Sequence, residues 1–182
     1  MSKNGSARLG RPLSAEVERA VFAETMRLVD EGDASEITRR SIAAGAGVSR
    51  QTLYNRWATT ADIVLDALID RAAASVGVAA SDDLRSYLVE LAAAVEGWAR
   101  PGLRAVVGLA QLDDDFAERF RARFLDTRHA ALTRAVAESG ALDDLAAAQV
   151  AELIAGSLWF RVLVSDRPLD DEWVERMAQL AR

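Results

Sequence analysis

The side chains best placed for chemistry form a polar run behind Ala46-Gly47-Val48-Ser49, namely Arg50, Gln51, Thr52, Tyr54, Asn55 and Arg56. Ser49 can cap a short helix through Asn55, which turns Leu53 inward and leaves Arg50, Gln51, Thr52, Asn55 and Arg56 facing solvent. These residue types hydrogen-bond to base edges and phosphates in a major groove. Catalytic alternatives lack parts. The chain has no cysteine and one histidine, so thiol nucleophiles and disulfides are excluded, and Asp126-Thr-Arg-His129 is only half of the duplicated pair a di-metal bundle needs. No glycine-rich phosphate loop occurs, and the acidic pairs Asp82-Asp83, Asp114-Asp115, Asp143-Asp144 and Asp170-Asp171 fall at helix starts, where carboxylates offset free N–H groups. No metal or other cofactor is expected.

A polar helix of this kind works only when clamped by others. Apolar residues recur at spacings of three and four along the chain, which predicts an all-α fold. The first helix opens at Ser14 and ends at Gly32; a short one runs from Thr38 to Gly45; the turn Ala46-Gly47-Val48 leads into the polar helix. Ile42, Ala46, Val48 and Leu53 are the expected clamp, with Ala43 small enough for close approach. A fourth helix starts at Thr59 or Thr60 and carries Ile63, Ala67 and Leu68. Beyond it, a helix from Leu84 to Trp98 is expected to break at Pro101-Gly102, and others cover Leu103 to Leu112, Phe116 to Gly140, Asp143 to Val164 and Asp170 to Ala181. This gives a basic arm at 1–12, a unit with a helix-turn-helix at 13–75, and a larger helical domain at 76–182.

Charge follows the same division. The 182 residues carry a formal net charge of −6, yet Met1 to Pro12 holds only Lys3, Arg8 and Arg11, and Ile37 to Thr60 only Arg39, Arg40, Arg50 and Arg56. A basic face on an acidic body suits docking on phosphates. The apolar stretch Leu145 to Val164 is interrupted by Gln149, Glu152 and Arg161, so no membrane span is expected. The basic start has no apolar run behind it and does not read as a secretory signal, and a cysteine-free chain suits a reducing cytoplasm.

Leu28-Val29-Asp30-Glu31-Gly32, Thr38, Ile42-Ala43, Ala46-Gly47-Val48-Ser49, Thr52-Leu53-Tyr54 and Trp57 together resemble the DNA-binding domain of TetR-family (tetracycline-repressor-like) regulators. The resemblance covers about Val17 to Leu68. It implies that Ser49 to Asn55 is the recognition helix, that Thr38 and Tyr54 meet phosphates, and that Trp57 packs beneath the fourth helix. Arg8 and Arg11 resemble the basic arms of some members, which enter a minor groove, although a merely solubilising tail has the same composition. Arg40 and Thr60 complete the candidate DNA contacts. Many relatives have a lysine where this chain has Thr60, and an aromatic where it has Asp33. The segment Leu103 to Leu180 also resembles the regulatory domain of one branch of the family.

The resemblance further implies a homodimeric repressor on a near-palindromic double-stranded DNA operator, released by a small apolar ligand. The helix at 143–164 is apolar almost all round, and Val150, Ile154, Leu158, Trp159 and Val162 are its candidate dimer contacts. Trp98, Val106, Leu109, Phe116, Phe120 and Phe124, around the expected break, are the candidate ligand pocket, though phenylalanines at helical spacing are equally the pattern of a core. The rival readings are a helical interaction or ligand-binding protein with weakened DNA binding, and a helical enzyme.

Overall fold

A computed structural model describes residues 15–32, 37–75, 83–139 and 142–181, and all the regular elements among them are helical. Helix α1 (Ala15–Asp30) places Glu16 and Glu18 in its first turn and Arg27 in its last, complementing the helix dipole. Gly32 follows at φ +81°, a left-handed conformation that glycine adopts without a Cβ clash. Helix α1 separates two cores. Val21 and Leu28 join Ile42, Ala43, Leu53, Trp57 and Ile63 in a small core; Met26 and Val29 belong to a larger one with helices further along the chain.

The small core holds α2 (Arg39–Gly45) and α3 (Arg50–Arg56) against α1 and the start of α4 (Thr60–Ser75). Between α2 and α3, Gly47 sits at φ +67°, the left-handed step that the tight turn requires. Leu53, the apolar residue of the polar run, is fully buried here, with Ala46 and Val48 packed against the same cluster.

Helices α5 (Leu84–Ala94) and α6 (Arg100–Ala110) form one continuous helical segment, joined by a π-helical turn over Val95–Ala99. The expected break at Pro101-Gly102 therefore does not occur. The widened turn before Pro101 redistributes the bonding that proline, lacking an N–H, would otherwise interrupt. Gly102 serves packing instead: a Cβ there would lie 3.1 Å from Leu68 and 3.7 Å from Met26 and Val29. Its absence lets α6 approach α1 and α4 closely.

Helices α7 (Asp114–Phe120) and α8 (Asp126–Glu138) are likewise joined by a π turn over Arg121–Leu125; α9 (Asp144–Phe160) ends in another over Arg161–Ser165, and α10 (Asp171–Gln179) follows. Asp83, Asp113, Asp143 and Asp170 each accept a 2.9 Å hydrogen bond from the backbone N–H three residues on, so one aspartate caps each of four helices. The helix Asp144–Ser165 is long and apolar enough to cross a membrane by length and composition alone. In the protein it packs along α8, and its apolar residues divide between the core and an outer face.

Candidate DNA-reading surface and ligand cavity

Two side-chain caps fix the helix-turn-helix. Thr38 and Ser41 form a capping box, each side-chain oxygen accepting the other's backbone N–H at 3.1 Å. Ser49 accepts from the Thr52 N–H at 3.1 Å and shares a hydroxyl hydrogen bond of 2.9 Å with Thr52. With α3 held at that end, Arg50, Gln51, Tyr54, Asn55 and Arg56 are exposed and Thr52 is half-buried. Gln51 donates to the Asn55 side chain at 2.8 Å, so the two amides lie side by side on one face. Thr38 and Arg40 are exposed, and Thr60 is half-buried at the first position of α4. Arg8 and Arg11 lie outside the described residues.

The far end of α3 is organised around Trp57 by partners that the sequence reading did not single out. Arg39 sits over the Tyr54 ring at 4.3 Å and donates to the Trp57 carbonyl at 2.8 Å and to that of Ala58. Only the helical phase of α2 distinguishes it from the exposed Arg40. The buried Trp57 donates its indole N–H to Asp66 of α4 at 2.7 Å, and Asp66 is ion-paired with Arg123 at 2.7 Å. One turn earlier, Asp62 accepts from the Thr59 backbone and hydroxyl at 3.0 and 2.8 Å and from Arg119 at 2.9 Å. Buried carboxylates are tolerated only with such partners. The cation at Arg56 is shared with Glu18 at 3.5 Å.

A cavity of about 370 Å³ lies on the other side of α4, within the range of roughly 300–1,000 Å³ usual for small-molecule sites. Leu68 and Ala72 of α4 form one wall; Leu91, Trp98, Leu132 and Leu158 contribute most of the apolar lining elsewhere. Of the six pocket residues expected from sequence, Trp98 and Phe124 reach the cavity. The other four do not line it. Val106, Phe116 and Phe120 are buried in the protomer core, and Leu109 packs against that core half-buried. Phe116, Phe120 and Phe124 stack in sequence, with ring centroids 6.5 and 5.7 Å apart, and the π turn that begins after Phe120 brings the last of them to the cavity edge. Two π turns thus border the cavity, with Trp98 on one and Phe124 on the other.

Polar groups also line it, and sequence reasoning missed these. Tyr87, Arg121, Asp126, Arg128 and His129 all contribute. His129 stands exposed on this wall rather than in the core. Among the described residues no cluster of three or more histidines and acids could hold a metal ion. Burial pushes the Tyr87 phenol above its ordinary pKa, with the charges of Arg128 and Arg134 acting the other way.

The expected dimer contacts divide between the core and the surface of the single chain. Ile154, Leu158 and Val162 are at most 7% exposed within the single chain, and Val150 and Trp159 are half-buried. Ile154, Leu158 and Trp159 face the cavity. The outer face of this helix carries other residues, with Leu145 at 72%, Leu153 at 62%, Phe160 at 57% and Val164 at 70% exposure. A helix apolar on every side gives no periodicity from which to tell these faces apart.

Residues 78–181 match the family model of the tetracyclin repressor-like C-terminal domain. The chain belongs to the TetR family of transcriptional regulators. It is 23% identical over 180 residues to the uncharacterized HTH-type transcriptional regulator YdeS of Bacillus subtilis, covering 94% of this chain and 91% of that one. It is also 26% identical over 171 residues to a regulator of the same description, Mb1581, from Mycobacterium bovis, covering 88% and 83%. In fold it is similar to a TetR-family regulator of Mesorhizobium loti (TM-score 0.62, 13% identity, 94% and 95% covered). It is similar too to the multidrug binding protein EbrR, crystallised with imidazole (TM-score 0.59, 20% identity, 99% and 97% covered). The helix-turn-helix described above is therefore the DNA-binding element of a transcriptional regulator.

Proposed function

We propose that the protein is a homodimeric, cytoplasmic repressor whose hold on a near-palindromic operator is loosened when a small, largely apolar ligand enters the cavity. The observation that carries this reading is the double duty of α4. One side of it lines the cavity with Leu68 and Ala72, while Asp66 holds Trp57 at the end of the recognition helix. A ligand that favours a different tilt of α4 must alter the placement of α3, and Arg119 and Arg123, flanking the cavity-lining Arg121, pull on the same helix through Asp62 and Asp66. Ligand affects DNA only by its differential affinity for the two arrangements.

The apolar row Leu145, Leu153, Phe160 and Val164 supports dimerisation through α9, since a face of this kind is normally covered by a partner. In such a dimer two recognition helices would stand roughly 34 Å apart, one turn of DNA. Gln51 and Asn55 read bases, while Thr38, Tyr54, Arg40 and Arg56 meet phosphates; Arg8 and Arg11 are proposed for the minor groove. The test is an electrophoretic shift of the DNA upstream of the protein's own gene. Retarded DNA at dimer stoichiometry, with binding that falls steeply in salt, supports the reading. Equal affinity for that DNA and a scrambled duplex overturns it.

A further inference from the structure

The cavity wall contains one group whose hydrogen-bonding capacity is unused. Nη1 of Arg128, on α8, is shielded from solvent and has no partner. The guanidinium lies 5.7 Å from the Phe124 ring centroid and close enough to Tyr87 for each to influence the other's ionisation. Burial holds the Arg128 pKa below its ordinary value. An arginine normally retains its proton under such conditions, so the protein keeps a half-buried cation with one unsatisfied donor, an arrangement with a free-energy cost unless something binds there. The remaining charged lining residues, Arg121 and Asp126, are exposed, as is His129, and water serves them. The rest of the lining is mainly apolar and includes Leu68, Leu91, Trp98, Leu132, Leu158 and Trp159.

We propose that the cavity binds an amphipathic anion, an apolar body bearing a single carboxylate that pairs with the Arg128 guanidinium while its hydrocarbon portion lies against Leu68, Trp98 and Leu158. This deepens the proposed function, since it rests on the cavity being the effector site and names the effector's chemistry. A carboxylate supplies both the missing acceptor and the missing countercharge, and a charge-assisted bond in a water-poor site is among the stronger ones available. A neutral alcohol would supply the acceptor alone. An amine would bring a second cation to the first.

Trp98 and Trp159 line the cavity, so intrinsic fluorescence reports its occupancy. The full chain should be titrated at neutral pH with decanoate, decanol and decylamine, probes that share a chain length and differ in head group. Decanoate is expected to bind about tenfold or more tightly than decanol, with decylamine weakest. Arg128→Met should lower decanoate affinity far more than decanol affinity, abolishing the preference, while leaving the melting temperature intact or raised, because it removes an unpaired donor. Arg128→Lys, which keeps the charge, should retain part of the preference and serves if the methionine variant fails to fold. Decanol binding as tightly as decanoate, unchanged decanoate affinity in the Arg128 variants, or no saturable response to decanoate would each overturn the proposal. The same preparations are assayed for DNA retardation without ligand: retained DNA binding confines the failure to the effector's chemistry, whereas its loss in the native chain counts against the wider reading.

Discussion

The helix-turn-helix and the C-terminal domain are built on different kinds of constraint. Around α3, nearly every position has one local duty: Thr38 and Ser49 cap, Gly47 turns, Leu53 plugs, and Trp57 locks the helix end onto Asp66. Substituting any of these removes a specific bond or a specific backbone conformation. In the C-terminal domain, long apolar helices are interchangeable in composition, and their roles follow from which way each side chain points. Ile154 and Leu153 are adjacent and chemically alike, yet the first is fully buried and the second is 62% exposed. A motif of unlike parts tolerates little freedom of assembly, whereas a bundle of like parts fixes its faces only through tertiary packing.

This contrast can be broken or sharpened by mutation. The largest effect is expected on the outer face of α9. Leu153→Glu should yield a folded monomer with helical content unchanged, because the side chain is already solvated in the single chain. Each residue of a two-fold interface occurs twice, so the loss of buried leucine should weaken dimerisation by about 3–6 kcal/mol. Sedimentation equilibrium checks this, and an unchanged dimer would move the interface elsewhere. Phe120→Ala comes next. With its ring 3% exposed and stacked between Phe116 and Phe124, its removal should cost the fold about 3–5 kcal/mol. Ligand affinity, measured where the variant is still folded, should stay near the native value because Phe120 does not line the cavity. A variant that melts normally but no longer binds ligand would reverse that assignment.

How much of this was legible in the sequence depended on the same distinction. The polar run on α3 could be read residue by residue, since cap, turn glycine and inward leucine are distinct signals that coincide. Arg39 was not legible: nothing in Arg39-Arg40 says which arginine turns back onto Tyr54 and which faces solvent until α2 is phased against α3. In the C-terminal domain the helices were legible as helices, while their joints were not. Pro101-Gly102 reads as a break, but a π turn ahead of the proline carries the helix through, and Gly102 proves to be a packing contact with Leu68. The phenylalanine series gave the right spacing for a stacked row without revealing that a π turn would bring only Phe124 to the cavity. Arg128 gave no signal at all, because an unpaired donor is a property of the packed structure.

The central claim is that α3 reads DNA sequence as one half of a two-fold pair. Selection of bound duplexes from a random pool tests it most directly, carried out with the native chain and with Gln51→Ala and Tyr54→Phe. The account predicts enrichment of a near-palindrome with half-sites roughly one helical turn, about 34 Å, apart. Gln51→Ala should relax preference at particular base pairs by about 1–3 kcal/mol, whereas Tyr54→Phe should weaken all sequences alike. A pool that never enriches, or a motif without two-fold symmetry whose preferences survive Gln51→Ala at every position, would contradict it.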